Sequence, residues 1–288
     1  MKAVYEVAGI TKQALHSHRI RRLKRDLKAQ EFFEQADDIR TEHPVVGCRK
    51  MALNMVCRGW GRDKIEALLL CNGYRVCYPP NYHRTTDQRK AFYYKNLIEG
   101  LELNNINQVV QTDITYYRIK EKYYYLSFII DVYSRRIVGY AASKSLHAEG
   151  SIKALKKMIE LRGAGNLSQL IHHSDRGSQY IAQEYRRLLN DNHITPSMCK
   201  TAWENAYTER INRTIKEEYL NGWEINSFNS LSKRLKQAVY HYNHKRSHSG
   251  LCKKSPVAFE KEINNMNASV RPELKLYKHI ENQVRESN

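Results

Sequence analysis

From Asn107 to Ser143 the chain holds its one long run dense in Val, Ile, Tyr and Thr, NQVVQTDITYYRIKEKYYYLSFIIDVYSRRIVGYAAS. β-Branched and aromatic residues fit a pleated, half-buried surface, so the run predicts strands. Two short polar breaks, Arg118 to Lys122 and Tyr133 to Arg136, divide it into three strands joined as antiparallel neighbours. In the first, Val109, Gln111, Asp113 and Thr115 share one face by two-residue alternation. Asp113 is the anomaly there, because desolvation penalises a carboxylate in the middle of a β-branched strand.

After these strands the period changes. Ile152, Leu155, Met158 and Ile159 have the spacing of an amphipathic helix over Ala148 to Arg162, which Gly163 and Gly165 end. Gln169 to His173 then predicts a short strand, Ser174 to Ser178 a turn, and Ile181 to Asn192 a helix. Ile194 to Cys199 predicts another strand. The next helix begins near Glu204 and buries Tyr207, Ile211, Ile215 and Tyr219, four apart. Upstream, Met1 to Gln30 predicts a basic helix, and Phe32 to Ile39 and Ala52 to Cys57 are further helical segments separated by Glu42, His43, Pro44 and Gly47. A helix over Asp63 to Leu70 stops at Asn72-Gly73. Short helices with tight turns in a basic setting fit a helix-turn-helix module and a plain helical bundle equally well. Pro79-Pro80 breaks the chain, and the polar stretch that follows reads as a linker into the sheet.

Composition narrows the partner. The 288 residues carry 48 Lys and Arg against 30 Asp and Glu, a net charge of +18, at a pI near 9.6. That surplus points to a polyanion, nucleic acid before membrane, since no stretch approaches the roughly 18 apolar residues of a spanning helix. Met1 is followed by KAVYEVAGITKQ, without the apolar run of a signal peptide, so the expected location is the cytoplasm, at the nucleoid when on DNA. Six scattered cysteines with no CxxC pair predict reduced, mostly buried thiols and no zinc site.

Two further carboxylates join Asp113. Asp175 falls where a predicted strand gives way to a turn, the place where open α/β sheets put ligands, although an Asp before a helix is more often a cap. Glu209 sits off the buried stripe of its helix, beside Asn205, Asn212, Arg213 and Lys216, a polar and cationic face around one acid. Such a face suits a site that holds metal and meets a phosphate backbone.

Four ordered motifs carry a resemblance: VVQTDITYY (Val109 to Tyr117), HHSDRGSQY (His172 to Tyr180), WENAYTERINRTIKEEY (Trp203 to Tyr219) and YNHKRSHSGLCKKSPVAF (Tyr242 to Phe259). Together they resemble the integrase core of bacterial insertion-sequence transposases, in particular the downstream-frame product of the insertion-sequence-three family, relatives of retroviral integrases. HPVVGCRK (His43 to Lys50) looks like that family's helix-turn-helix region. The resemblance implies an α/β fold, an RNase H-like mixed sheet flanked by helices and preceded by a small all-helical helix-turn-helix region. It implies a catalytic and metal-binding triad of Asp113, Asp175 and Glu209. The division that follows is a DNA-binding region over 1 to 78, a linker over 79 to 106, a catalytic core over 107 to 260 and a tail over 261 to 288. In two respects the chain departs from the family pattern. The loop after Met198 is shorter, and Glu204 stands where Asp is commoner.

The chemistry asks for this residue set. Three converging carboxylates repel one another unless divalent cations lie between them, and hard oxygen ligands suit Mg²⁺ or Mn²⁺. Two ions about 3.5 to 4 Å apart would activate a water or a DNA 3′-hydroxyl and stabilise the leaving oxygen. The expected partners are double-stranded DNA, as element ends and target, further copies of this chain, and an upstream-frame product. Ile225 to Phe259 contains no Asp or Glu, yet holds seven Lys and Arg, three His and the aromatic Tyr240 and Tyr242. That composition matches a backbone-contacting surface and equally a core helix with solvated lysines. The residues expected to face DNA are Arg176, Asn205, Arg213, Lys216, Tyr242, Asn243, Lys245, Arg246 and His248. Among nearby glutamates, Glu218 lies beside the buried stripe, and Glu217 lies too far along the helix from Glu209 to share its ions. Glu204 is accounted for as a helix-start carboxylate. Other functions compatible with the pattern are an inactive end-binding regulator and a nuclease that cuts without joining.

Overall fold

A computed structural model describes residue 9 and residues 11–55, 59–76 and 93–277. Contacts divide the chain into two compact units, Met1–Pro79 and Pro80–Asn288.

In the first unit α1 runs over Lys12–Glu42, with the Thr11 hydroxyl accepting from the Ala14 amide at its start. From Lys12 onward the basic segment and Phe32 to Ile39, read separately from the sequence, are therefore one helix; residues 1 to 8 and 10 of the segment expected over Met1 to Gln30 lie outside the described residues. No Gly or Pro interrupts them, and a change in burial along a helix is not a break. Two shorter helices follow, α2 (Cys48–Asn54) and α3 (Arg62–Cys71). Residues 56 to 58, the end of the helix expected over Ala52 to Cys57, lie outside the described residues. Phe32, Ala36, Met51, Ile65 and Leu69 close a small core, and Trp60 packs on Phe32 with ring centroids 5.4 Å apart.

The second unit is built on β1 (Glu102–Leu103), β2 (Val109–Ile119), β3 (Lys122–Asp131), β4 (Ile137–Ser143), α4 (Glu149–Arg162), β5 (Ile171–Ser174), α5 (Gln183–Asp191), β6 (Thr195–Met198), α6 (Ala206–Glu218), α7 (Phe228–His244), α8 (Pro256–Asn265) and β7 (Leu274–Lys275). Five strands form one sheet in the order β4-β3-β2-β5-β6. The three long strands are antiparallel hairpin neighbours, whereas β5 and β6 join in parallel. Parallel neighbours need a crossover, and α4 and α5 supply the two. The mixed sheet is thus set by where the strand period gives way to the helix period.

Alternation sends Ile129 to one face, under Leu155 and Met158 of α4 and Tyr185 and Leu189 of α5. Phe128 and Ile130 go to the other, under Ile211 and Ile215 of α6 and Leu235 of α7. Gly139 of β4 lets α4 approach, because a Cβ there would overlap the Ala154 carbonyl oxygen. Where β3 ends, a buried ionic group ties three elements together. Arg162 Nη2 lies 2.6 Å from Glu260 Oε1 and 3.2 Å from Asp131 Oδ2, while Arg136 meets the other oxygen of Glu260.

Of the segment read as a linker, residues 77 to 92 lie outside the described residues. Residues 98 to 103 pack with the core unit, Ile98 and Leu103 being buried with Phe259, Ile263 and Leu276. β1 and β7 pair antiparallel, Leu103 opposite Leu274. Of the four described cysteines, Cys48 and Cys199 are buried and Cys71 and Cys252 exposed, and none is in a disulfide. The expectation of mostly buried thiols therefore holds for half of them, Cys71 and Cys252 lying at a helix end and in a turn.

Candidate active site

Register brings the first two carboxylates together. Parallel pairing sets Thr112 of β2 opposite Ser174 of β5, so Asp113 and Asp175 are the next positions along two adjacent strands running the same way. Asp175 is the first residue beyond β5, and its Oδ1 accepts the Gly177 amide at 3.0 Å. Glycine fits there because a Cβ at Gly177 would stand 2.8 Å from Gln179 Oε1 and 3.0 Å from Asp175 Oδ1.

Glu209 comes from the first turn of α6 and is exposed. Two hydrogen bonds tie the segment before α6 to β2. Gln111 Nε2 donates to the Glu204 carbonyl and Asn205 Nδ2 donates to the Thr112 carbonyl, both at 2.9 Å. A third fixes the helix itself, since Asn212 Nδ2 donates to Asp113 Oδ2 at 2.7 Å. One turn further on, Lys216 Nζ donates to Thr115 Oγ1 at 2.8 Å and lies 5.5 Å from the Tyr116 ring centroid. Ile211 and Ile215 bury the opposite face, so the orientation of α6 is over-determined despite the short loop.

The electrostatics are those of a site whose buried acids are only partly compensated from within the protein. Burial, then the charges of Asp175 and Glu209, push the Asp113 carboxyl up to about 7, against the lowering effect of the Ile114 amide and Asn212. Burial also raises the carboxyl of Asp175. The hydrogen bonds to Asp113 come from neutral donors, Ile114 N at 2.8 Å and Asn212. Nearby, Asn205 Oδ1 and Asn212 Oδ1 are buried oxygens with no hydrogen-bond partner. Lys216 is near enough to feel the Asp113 charge but is bonded to Thr115, and the oxygen acceptors gathered here fit a hard divalent cation. Among the described residues, however, the group whose ligand atoms all lie within 4.8 Å of one another is His173, Cys199 and Glu204, not the three carboxylates.

The residues expected to face DNA divide in two. Arg213 and Lys245 are exposed. Arg176 is exposed too, its Nε donating to the Cys199 carbonyl at 3.1 Å and its guanidinium over the Tyr93 ring. Lys216 and His248 are half-buried. Tyr242, Asn243, Arg246 and Asn205 are interior. Asn243 both donates to and accepts from the Ile137 backbone, and Tyr242 is on the buried face of α7, in the core with Phe128, Ile211 and Ile215. Arg246 makes a two-pronged ion pair with Glu218, at 2.6 and 2.8 Å, and His248 stacks edge-on against Tyr242. The acid-free stretch is therefore partly a packed helix whose cations find their acids elsewhere, Arg246 on Glu218 of α6 and Lys254 on Glu262 of α8.

Glu204 also differs from the sequence reading. It does not cap α6, whose N-cap Asn205 makes no side-chain capping bond. Glu204 is buried in a 3-10 turn over Ala202–Asn205. Its carboxylate accepts from the Lys200 amide at 2.6 Å, Asn96 Nδ2 at 2.9 Å and the Thr201 hydroxyl at 3.0 Å. Asn96 lies more than a hundred residues away, and no local pattern signals that contact.

A five-stranded mixed sheet in this order, helices on both faces and acids at adjacent strand positions, defines an RNase H-like α/β protein. Integrase core domain models match residues 104–202 and 192–256. The chain belongs to this integrase-core family of insertion-sequence transposases. It is 36% identical over 165 residues to the insertion element IS600 uncharacterized 31 kDa protein of Shigella sonnei, covering 56% of this chain and 60% of that one. An uncharacterized transposase-like protein of Haemophilus influenzae is 30% identical over 162 residues, covering 55% of this chain and 73% of that one. With a transposase for insertion sequence element IS904 of Lactococcus lactis the match covers 62% of the relative. The chain thus spans about three fifths of the Shigella and Lactococcus relatives. The fold is also that of a simian T-cell lymphotropic virus intasome, at TM-score 0.50 and 16% identity, over 77% of this chain and 71% of the viral one.

Proposed function

We propose that this chain is a DNA transposase that cleaves the ends of a mobile element and joins them to target DNA, with Asp113, Asp175 and Glu209 as its catalytic, metal-holding acids. The observation that carries this reading is the elevated carboxyl of Asp113, raised by burial and by the two other acids of the set. A carboxyl so placed is only partly ionised near neutral pH, and an arriving cation would favour its anion. When bound, Mg²⁺ or Mn²⁺, two ions per site, would activate the attacking hydroxyl and stabilise the leaving oxygen of an in-line phosphodiester displacement. The chain's own residues hold the acids ready: Asn212 and the Ile114 amide orient Asp113, the Gly177 amide orients Asp175, and the β2 tethers aim α6 and with it Glu209. Exposed Arg176, Arg213 and Lys245 supply cationic groups for phosphates, which position a duplex without reading its sequence.

The same reading makes the chain an insertion-sequence-three downstream-frame product, its helical first unit an accessory DNA-binding module. It acts as several copies on DNA, with end recognition shared with an upstream-frame partner. Among the described residues no helix is long and apolar enough to cross a membrane. The deciding experiment is strand transfer in Mg²⁺ or Mn²⁺ on duplex oligonucleotides carrying the element's terminal repeats. Cleavage and joining by the wild type, both lost in Asp113→Asn, support the proposal. Cutting without joining would make the chain a nuclease, and end binding without either reaction a regulator.

A further inference from the structure

We propose that His173, Cys199 and Glu204 form a second metal site, for a borderline-soft divalent cation of the zinc class, separate from the three acids assigned to catalysis. A ring nitrogen of His173, the sulfur of Cys199 and a carboxylate oxygen of Glu204 lie within 4.8 Å of one another, and the residues are 0%, 4% and 1% exposed. One nitrogen, one sulfur and one oxygen are a donor set for Zn²⁺ or Co²⁺, and the thiol makes it a poor one for Mg²⁺.

The histidine gives the independent indication. Its Nδ1 is engaged by the Ser197 hydroxyl at 2.9 Å, an oxygen that also accepts the Leu97 amide at 2.9 Å. Its Nε2 is buried with no hydrogen-bond partner. With Nδ1–H donating to Ser197, the Nε2 lone pair remains for a cation. A ring oriented through one nitrogen while the other points at a metal is the usual arrangement of a ligating histidine. Glu204 is held in place by Lys200, Thr201 and Asn96. Zn–ligand distances of about 2.0 to 2.3 Å in a tetrahedron place the ligand atoms about 3.3 to 3.8 Å apart, so the side chains close by about 1 Å around the ion.

The site would act on the shortened loop. His173 lies two residues before Asp175, Cys199 directly follows β6, and Glu204 is in the turn that leads to α6 and Glu209. A cation there ties the end of β5 to the segment that aims α6. The absence of a CxxC pair does not bear on this group, whose ligands come from three separate segments.

The test uses the full chain, loaded with Zn²⁺ or with Co²⁺ as a spectroscopic probe in excess Mg²⁺, then passed through gel filtration. The wild type should retain about one Zn²⁺ per chain, show a thiolate-to-cobalt charge-transfer band, and gain about 5 °C or more in thermal midpoint. Cys199→Ala should lose all three responses, and Asp113→Asn should keep them. The proposal is overturned if the wild type retains no zinc, if its cobalt form lacks the thiolate band, if Cys199→Ala retains zinc equally, or if Asp113→Asn abolishes retention. The cobalt band is read on the wild type, so the result does not depend on a variant folding, and none of these readouts depends on strand transfer.

Discussion

Asp113 and Glu204 are both acids held by neutral donors, yet their surroundings assign them opposite work. Asp113 faces two other carboxylates, whereas Glu204 is enclosed by the Lys200 amide, Asn96 and Thr201. Glu209→Gln should therefore abolish cleavage and joining while DNA binding and thermal midpoint stay near wild type. Glu204→Gln turns an amide NH₂ toward donors and should cost about 1 to 3 kcal/mol of stability. Strand transfer beside a thermal melt for each variant separates the two, and retained activity in Glu209→Gln would sink the triad. Arg246 is a parallel case. Its removal takes the two-pronged ion-pair partner from buried Glu218, so Arg246→Ala should destabilise by about 3 to 5 kcal/mol, measured by denaturant melts. Lys245→Ala, one residue away and exposed, should leave stability alone and flatten the salt dependence of DNA binding by about one unit. Composition marks both as cations in an acid-free stretch. Only packing tells them apart, because the acid that pairs with Arg246 sits 28 residues earlier, on α6.

The elements themselves follow from short-range rules, and so the three long strands, α4 and the buried stripe of α6 were legible from periodicity. Contacts that join elements were not. Gly139 reads in sequence as a weak spot in a strand, but in the sheet it is where α4 lies closest. Gly139→Ala should cost about 1 to 3 kcal/mol by overpacking against the Ala154 carbonyl, seen as a lower thermal midpoint with the helical signal retained. Nor does any pattern reveal that Arg162, Asp131 and Glu260 meet. Burial alone would raise the carboxyl of Glu260, but Arg162 and Arg136 outweigh it and hold the group below its ordinary value. An acid with a depressed folded pKa contributes stability above its unfolded value, and that contribution is lost as pH falls through the folded one. The loss should begin near pH 4.5, and Glu260→Gln, less stable at neutral pH, should show a shallower fall in thermal midpoint from pH 6 to pH 3 than the wild type.

At the level of the whole molecule, the +18 charge names a polyanion without saying which surface meets it. The first unit has a core of its own, and the clustered Arg19, Arg21, Arg22, Lys24 and Arg25 on α1 are exposed. A chain reduced to residues 80 to 288 should bind DNA more weakly and with a smaller salt slope than the full chain, with little change in sequence preference. Equal salt titrations for the two would remove the first unit from DNA binding. Fold class was legible at this scale because four motifs fall in order along half the chain. The two-residue strands β1 and β7 were not, since two residues carry no period. Their pairing has a topological consequence. The Tyr277 hydroxyl oxygen accepts from Asn96 Nδ2 at 2.8 Å and its carbonyl accepts the Gly100 amide, so the path into the sheet and the path out of it run side by side. A chain in which residue 277 is joined to residue 96 by a short linker and opened between Lys120 and Glu121 should still fold, the seam serving as a hinge-free doorway through which other sequences can be attached without threading the sheet.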